Sequence, residues 1–222
     1  MAKQILLCAD CEGTPDQLER IWEVILRQGI KVNFFFTGQT ALENKDLLLE
    51  ISRIQNVDSH TFSHANLRSL SKAGQRSEIF RGKDIVESII GRKTIGFRAP
   101  YHAINRDTVD LLNEEGFVYD VSVLYYRYWM RNVIEIPPSW FREWMELYDR
   151  LHLNPGFGWN IIKGLLHLFE PLVIPLHPQY SGKDKHFAAA FEEFICYALS
   201  RGAQFFSIPD YLRLAGKWPD RQ

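Results

Sequence analysis

His60 and His64 stand four positions apart in His60-Thr61-Phe62-Ser63-His64, just beyond a short strand-like run. One helical turn at that point would set both imidazoles on the same side of the chain. Two neutral imidazoles that converge suit Zn²⁺ or a similar divalent ion. The same spacing also arises by accident on solvated helices, so the pair gains its weight from what accompanies it. Ile5-Leu6-Leu7-Cys8-Ala9 runs into Asp10-Cys11-Glu12, and Ile95-Gly96-Phe97 runs into Arg98-Ala99-Pro100-Tyr101. Leu172-Val173-Ile174-Pro175-Leu176 runs into His177. Reactive groups at the C-terminal ends of separate strands are how a β/α barrel builds a reaction centre.

The elements that must hold these groups alternate from end to end. Thr14-Pro15-Asp16-Gln17 combines a capping box with proline at the first helical position, and the helix it opens should stop at Gly29. Lys31 to Phe36 reads as the second strand, Lys45 to Ile54 as a helix, and Lys72 to Ile90 as a long helix leading to the strand before Arg98. Arg106 to Glu115 is expected to be helical, with strands at Phe117 to Asp120 and Val133 to Ile136. Ser139 to Glu170 looks helical, broken at Asn154-Pro155-Gly156, and Leu172 to Leu176 is a strand. A helix from Asp184 to Ser200, a strand at Gln204 to Phe206 and a helix at Pro209 to Leu214 close the chain. This alternation argues for an α/β fold, a parallel sheet covered by helices, in one domain over residues 1–222.

The 222 residues, 46% hydrophobic and 24% charged, suit a soluble globular chain with a sizeable core. A formal net charge of −1 offers no basic field for nucleic acid, which is excluded as a partner. Cys8, Cys11 and Cys196 form no disulfide framework; positions 8 and 11 on one strand face opposite ways and no second C-x-x-C follows. Reduced thiols, a first strand that begins almost at Met1, and no apolar stretch of the length that a membrane span needs point to a cytoplasmic protein.

Taken in order, Asp10-x-Glu12, His60-x-x-x-His64, Arg98-x-Pro100-Tyr101 and Leu176-His177-Pro178 resemble the polysaccharide deacetylase family. Phe34-Phe35-Phe36 is similar to that family's second strand, and Phe205 to Leu212 to its closing strand and helix. Any one motif is weak, while the ordered set is specific. The resemblance implies a distorted (β/α) barrel of about seven parallel strands, which the alternation matches, and metal-dependent removal of acyl groups from sugars. It implies a divalent metal held by His60, His64 and a carboxylate of the first motif, with zinc as the default and cobalt, nickel or iron fitting the same donors. It further implies Asp10 as general base, His177 as general acid, Arg98 as the partner that orients Asp10, and the Tyr101 N–H as an oxyanion donor.

Three departures accompany the resemblance. Many members carry two adjacent aspartates where this chain has Asp10-Cys11. Glu12 shares a strand face with Asp10 and is the better third ligand on that pleat argument; Cys11, whose thiolate also binds zinc, points the other way. His102 replaces a frequent glycine and reads as a surface loop histidine, with a substrate contact as the alternative. No Asp-Trp pair lines a groove, and Asp120, Trp140 or Trp159 are its candidate substitutes. Each site residue taken alone also has a plain reading, such as a helix cap for Asp10 and Glu12 or a structural ion pair for Arg98.

The aromatic-rich stretch 139–169 reads first as a buried barrel helix and second as a surface for lipid, because Arg142, Arg150 and Lys163 interleave with aromatics and leucines. With a cytoplasmic location, the second reading suggests peripheral contact with the inner face of a membrane and an amino-sugar substrate on a lipid or nucleotide carrier. A deformylase, a hydrolase of non-sugar amides and a carbohydrate- or metal-binding pseudoenzyme are the competing functions. Retention of both Asp10 and His177 argues against the last.

Overall fold

A computed structural model of the chain describes residues 3–122, 133–139 and 156–219. They fall into two compact units: residues 3–9, 13–33, 139 and 156–218 form the first, and residues 10–12, 34–122, 133–138 and 219 the second.

In the first unit, strand β1 (Gln4–Cys11) contributes its apolar run, paired in parallel with β7 (Leu172–Leu176) from Ile5↔Leu172 to Ala9↔Leu176. Strand β8 (Gln204–Phe205) also runs parallel to β1. An almost wholly buried β1 explains its unbroken Ile-Leu-Leu-Cys-Ala run, since a parallel strand is covered on both faces. Helix α1 (Pro15–Gln28) begins at the expected Thr14 capping box and ends with Gly29 in the left-handed region at φ 61°. Buried Asn33 ties strand to helix: its Nδ2 donates to the Leu7 carbonyl, and its Oδ1 accepts from the Ile208 N–H.

The second unit carries β2 (Asn33–Phe36), β3 (Asn56–Ser59), β4 (Gly96–Phe97), β5 (Tyr119–Asp120) and β6 (Ile134–Glu135), side by side in chain order. The β3–β4, β4–β5 and β5–β6 pairings are parallel. Between the strands lie α2 (Gly38–Glu43), α3 (Lys45–Ser52), α4 (Lys72–Ile90) and α5 (Arg106–Glu114). Leu67, Ile79, Phe97, Ile104, Leu111 and Phe117 belong to the core cluster that fixes α4 and α5 against the sheet. Successive strands as neighbours, with helices between β2 and β3, β3 and β4, and β4 and β5, are the βα pattern that the alternation predicts.

The remaining α-helices among the described residues belong to the first unit: α6 (Phe157–Leu165), α7 (Pro178–Ser181), α8 (Lys185–Ser200) and α9 (Ile208–Leu214). Helices α2 and α7 were not expected; at six and four residues each is too short to show a hydrophobic period. In α6, Trp159 and Ile162 are buried, and the Trp159 ring stacks on Phe194 at 4.7 Å between centroids. That agrees with the buried-helix reading for this part of the aromatic stretch, although Phe157 and Leu168 are exposed. Trp140, Arg142, Arg150 and the rest of 140–155 lie outside the described residues, and with them most of the lipid-facing reading. Among the described residues, no helix is long and apolar enough to cross a membrane.

Candidate metal and catalytic site

The segment between β3 and α4 is not the helical turn expected from the histidine spacing. Thr61 and His64 both take left-handed backbone, at φ 67° and 60°, and it is this folded-back loop that turns the two rings toward one another, 5.1 Å apart. Contacts distant in sequence impose the shape. The first two N–H groups of α2, from Gly38 and Gln39, donate to the Thr61 and Phe62 carbonyls at 2.9 and 3.0 Å. On the other side the Glu78 carboxylate of α4 accepts from the Phe62 N–H, the Ser63 N–H and the Ser63 hydroxyl. Gly82 lets α4 lie directly on the loop, since a Cβ there would sit 2.4 Å from the Thr61 carbonyl carbon and oxygen.

The loop meets Glu12 from the end of β1. One ligand atom from each of Glu12, His60 and His64 lies within 4.8 Å of the others, and His64 Nε2 is 2.8 Å from Glu12 Oε2. His60 Nδ1 lies 2.6 Å from the Arg98 carbonyl, which can only accept, so that nitrogen carries the proton and Nε2 the lone pair. Nε2 is buried and makes no hydrogen bond. Burial pulls the His60 pKa down to about 4, so the ring is neutral at pH 7. Burial alone would raise the Glu12 carboxyl, but the hydrogen bond to His64 and the fields of both imidazoles outweigh it and leave the pKa below its usual value. A neutral imidazole oriented by a carbonyl, a second imidazole and an ionised carboxylate are a donor set that fits a divalent metal with positions left open.

Cys11 is a poor alternative. It is fully buried and lies outside the converging group of Glu12, His60 and His64; that burial, reinforced by the neighbouring Asp10 and Glu12 charges, pushes its thiol well above the ordinary range.

Beside this group, Arg98 Nε lies 2.6 Å from Asp10 Oδ1, with both side chains buried. Arg98 Nη1 donates to the Val121 carbonyl at 2.8 Å and Nη2 to His102 Nε2 at 3.2 Å. The surface role expected for His102 is therefore corrected: the ring is buried, pinned between Arg98 and the Ser122 carbonyl, which accepts from Nδ1. The Ser122 hydroxyl accepts from the Ala99 N–H and donates to Asp120 Oδ1 at 2.5 Å. Asp120 lines no open groove; it is fully buried opposite Glu135 in the β5–β6 register, and burial raises its pKa to about 6. Tyr101 is exposed and left-handed at φ 56°, its ring edge-on to His64 at 4.8 Å. Such backbone is costly for a bulky residue and concentrates at functional sites.

Asp10, Glu12, His60, His64, Arg98 and Tyr101 all belong to the second unit, whereas His177 belongs to the first. There it follows β7 and precedes α7, with its ring 5.9 Å from that of Tyr180. Sequence reading passed over Glu78, Gly82 and Ser122, which carry no local signal because their partners are distant in the chain.

Comparison with known proteins places this geometry. A family described as Polysaccharide deacetylase matches residues 2–119. A peptidoglycan deacetylase-like protein of Gibberella zeae is 28% identical over a 160-residue alignment that covers 56% of this chain and 46% of that protein. A peptidoglycan-N-acetylglucosamine deacetylase of Bacillus cereus is 26% identical over 110 residues, 49% of this chain and 38% of that one. The chain thus spans less than half the length of these curated relatives. Among solved structures, a Mycobacterium smegmatis protein assigned as a polysaccharide deacetylase superposes with a TM-score of 0.79 at 18% identity, covering 100% of this chain and 93% of that one. That likeness shows the fold to be the (β/α) barrel that the family resemblance implies.

Proposed function

This chain belongs to the polysaccharide deacetylase family, and from that premise we propose that it is a metal-dependent amide hydrolase that removes an N-acetyl group from an amino sugar on a lipid or nucleotide carrier. The observation that carries the reading is the convergence of Glu12, His60 and His64 within 4.8 Å beside the 2.6 Å Asp10–Arg98 pair.

Glu12, His60 and His64 would hold the ion, with zinc the default for these donors and cobalt, nickel or iron alternatives. When bound, a divalent ion supplies Lewis acidity to the acyl carbonyl and lowers the pKa of a water. Asp10 would take the proton of the attacking water as general base. Arg98 keeps Asp10 ionised and aimed, because a guanidinium against a buried carboxylate favours the charged form. The Tyr101 N–H donates to the oxyanion as the carbonyl becomes tetrahedral. His177 protonates the departing nitrogen as general acid, the step an amide requires because an unprotonated amine leaves poorly. Amino-sugar polymers are named for the Gibberella zeae and Bacillus cereus relatives and support the sugar half of the reading. The carrier half and a peripheral membrane contact rest on the 139–169 aromatic stretch, of which 140–155 is outside the described residues.

The test is acid release from N-acetylated and N-formylated amino sugars, free, nucleotide-linked and lipid-linked, with metal-loaded and chelator-treated protein. Acetate released from a linked sugar by loaded protein alone is the expected result. Formate in place of acetate would move the activity to deformylation. No release from any substrate by protein with bound metal would overturn hydrolysis in favour of a binding role.

A further inference from the structure

Arg98 has five donors and no acceptor. One edge meets Asp10, and two further bonds, to the Val121 carbonyl and to His102, help to set the guanidinium plane. Because Nη2 can only donate, His102 Nε2 presents its lone pair to it at 3.2 Å. The ring proton therefore sits on Nδ1, directed at the Ser122 carbonyl. Ser122 is itself held by the Ala99 N–H and by Asp120, so the acceptor that selects the tautomer is anchored. His102 reaches this position through left-handed backbone at φ 52°, next to Tyr101 at 56°.

We propose that His102 is a positioning residue for the reaction, a neutral acceptor that fixes the Arg98 guanidinium against Asp10. The inference rests on Asp10 being the base, and no relative is needed to make it: the position follows from the buried Ser122–His102–Arg98–Asp10 chain of contacts.

Two substitutions separate positioning from a backbone role. In His102→Gln the side-chain Oε1 can reach the place of Nε2 and accept from Arg98. In His102→Asn the side chain ends near the place of Nδ1 and leaves Nη2 without its partner, while asparagine tolerates left-handed backbone better than glutamine does. The expected order is kcat near wild type for the Gln variant and about 10- to 100-fold lower for the Asn variant, with KM little changed and one metal still bound. A role confined to the backbone predicts the reverse order, and an Asn variant at least as active as the Gln variant would overturn the proposal. The resonance of the Arg98 Nη2 protons that face His102, read by NMR without substrate, supplies an independent readout. It should be sharp and slowly exchanging in wild type and the Gln variant and lost in the Asn variant. An unchanged Arg98 signal in the Asn variant sinks the positioning role even if no substrate is found, whereas the expected pattern without turnover would fault the assigned reaction alone.

Discussion

Substituting Gly82 by Ala probes how the metal loop is held. Gly82 lies in the middle of α4, where alanine alone would favour the helix by about 0.5–1 kcal/mol. A Cβ there would sit 2.4 Å from Thr61 C and O and 2.8 Å from Phe62 N, all backbone atoms that cannot swing aside. Restoring a tolerable 3.0 Å separation requires a shift of about 0.6 Å between helix and loop, more than the ~0.5 Å within which a constellation of this kind must be held. Overpacking costs about 1–3 kcal/mol, so after the helix gain the net destabilisation should be about 0–2.5 kcal/mol. That is a melting-temperature drop of at most about 5–10 °C in a protein of this size. Thr61 adjoins His60, so the larger effect falls on the ligands: zinc affinity is expected to weaken about 10- to 100-fold, out of proportion to stability. Zinc titration of the apoprotein and thermal melts of the metal-free variant measure the two separately. A variant that melts higher and binds zinc as tightly as wild type would refute the close contact and make α4 a bystander.

Other perturbations follow from the same contacts. Glu78→Gln leaves a weaker acceptor for the two loop N–H groups and the Ser63 hydroxyl, so zinc affinity should fall about tenfold in a competition titration while the fold persists. His60→Ala should lower bound metal, and unchanged metal content would remove His60 from the ligand set. Asp120 carries a folded-state pKa raised to about 6 from 3.8, so the folded protein binds more protons than the unfolded chain between those values. Its contribution to stability is full below pH ~4 and is lost as pH rises through ~6. Urea melts should therefore show wild type losing about 1–3 kcal/mol relative to Asp120→Asn across that window, and a difference independent of pH would contradict the buried environment assigned to Asp120.

Local chemistry was legible in the sequence where it acts locally. Thr14, Pro15, Gln17 and Gly29 punctuate α1 within a turn of its ends. The unbroken apolar run of β1 announced a strand covered on both sides. The strands at 96–97, 119–120 and 134–135 are shorter than the apolar runs around them, because ladder pairing sets their limits rather than composition. The helical turn read into 60–64 fails for a related reason: identical spacing arises when Thr61 and His64 are forced left-handed by α2 and Glu78, residues that the local pattern does not contain. His102 was taken for a surface residue because its burial is decided by Ser122, twenty positions on, and by the guanidinium four positions before it.

Acetate release measured as zinc is titrated into the apoprotein, for wild type and Asp10→Asn in parallel, bears most directly on the assignment of the site. Wild-type turnover is expected to rise with zinc and level off at one ion per chain, while Asp10→Asn binds one ion and releases no acetate. Turnover that ignores zinc, or that survives in Asp10→Asn, would contradict the assignment.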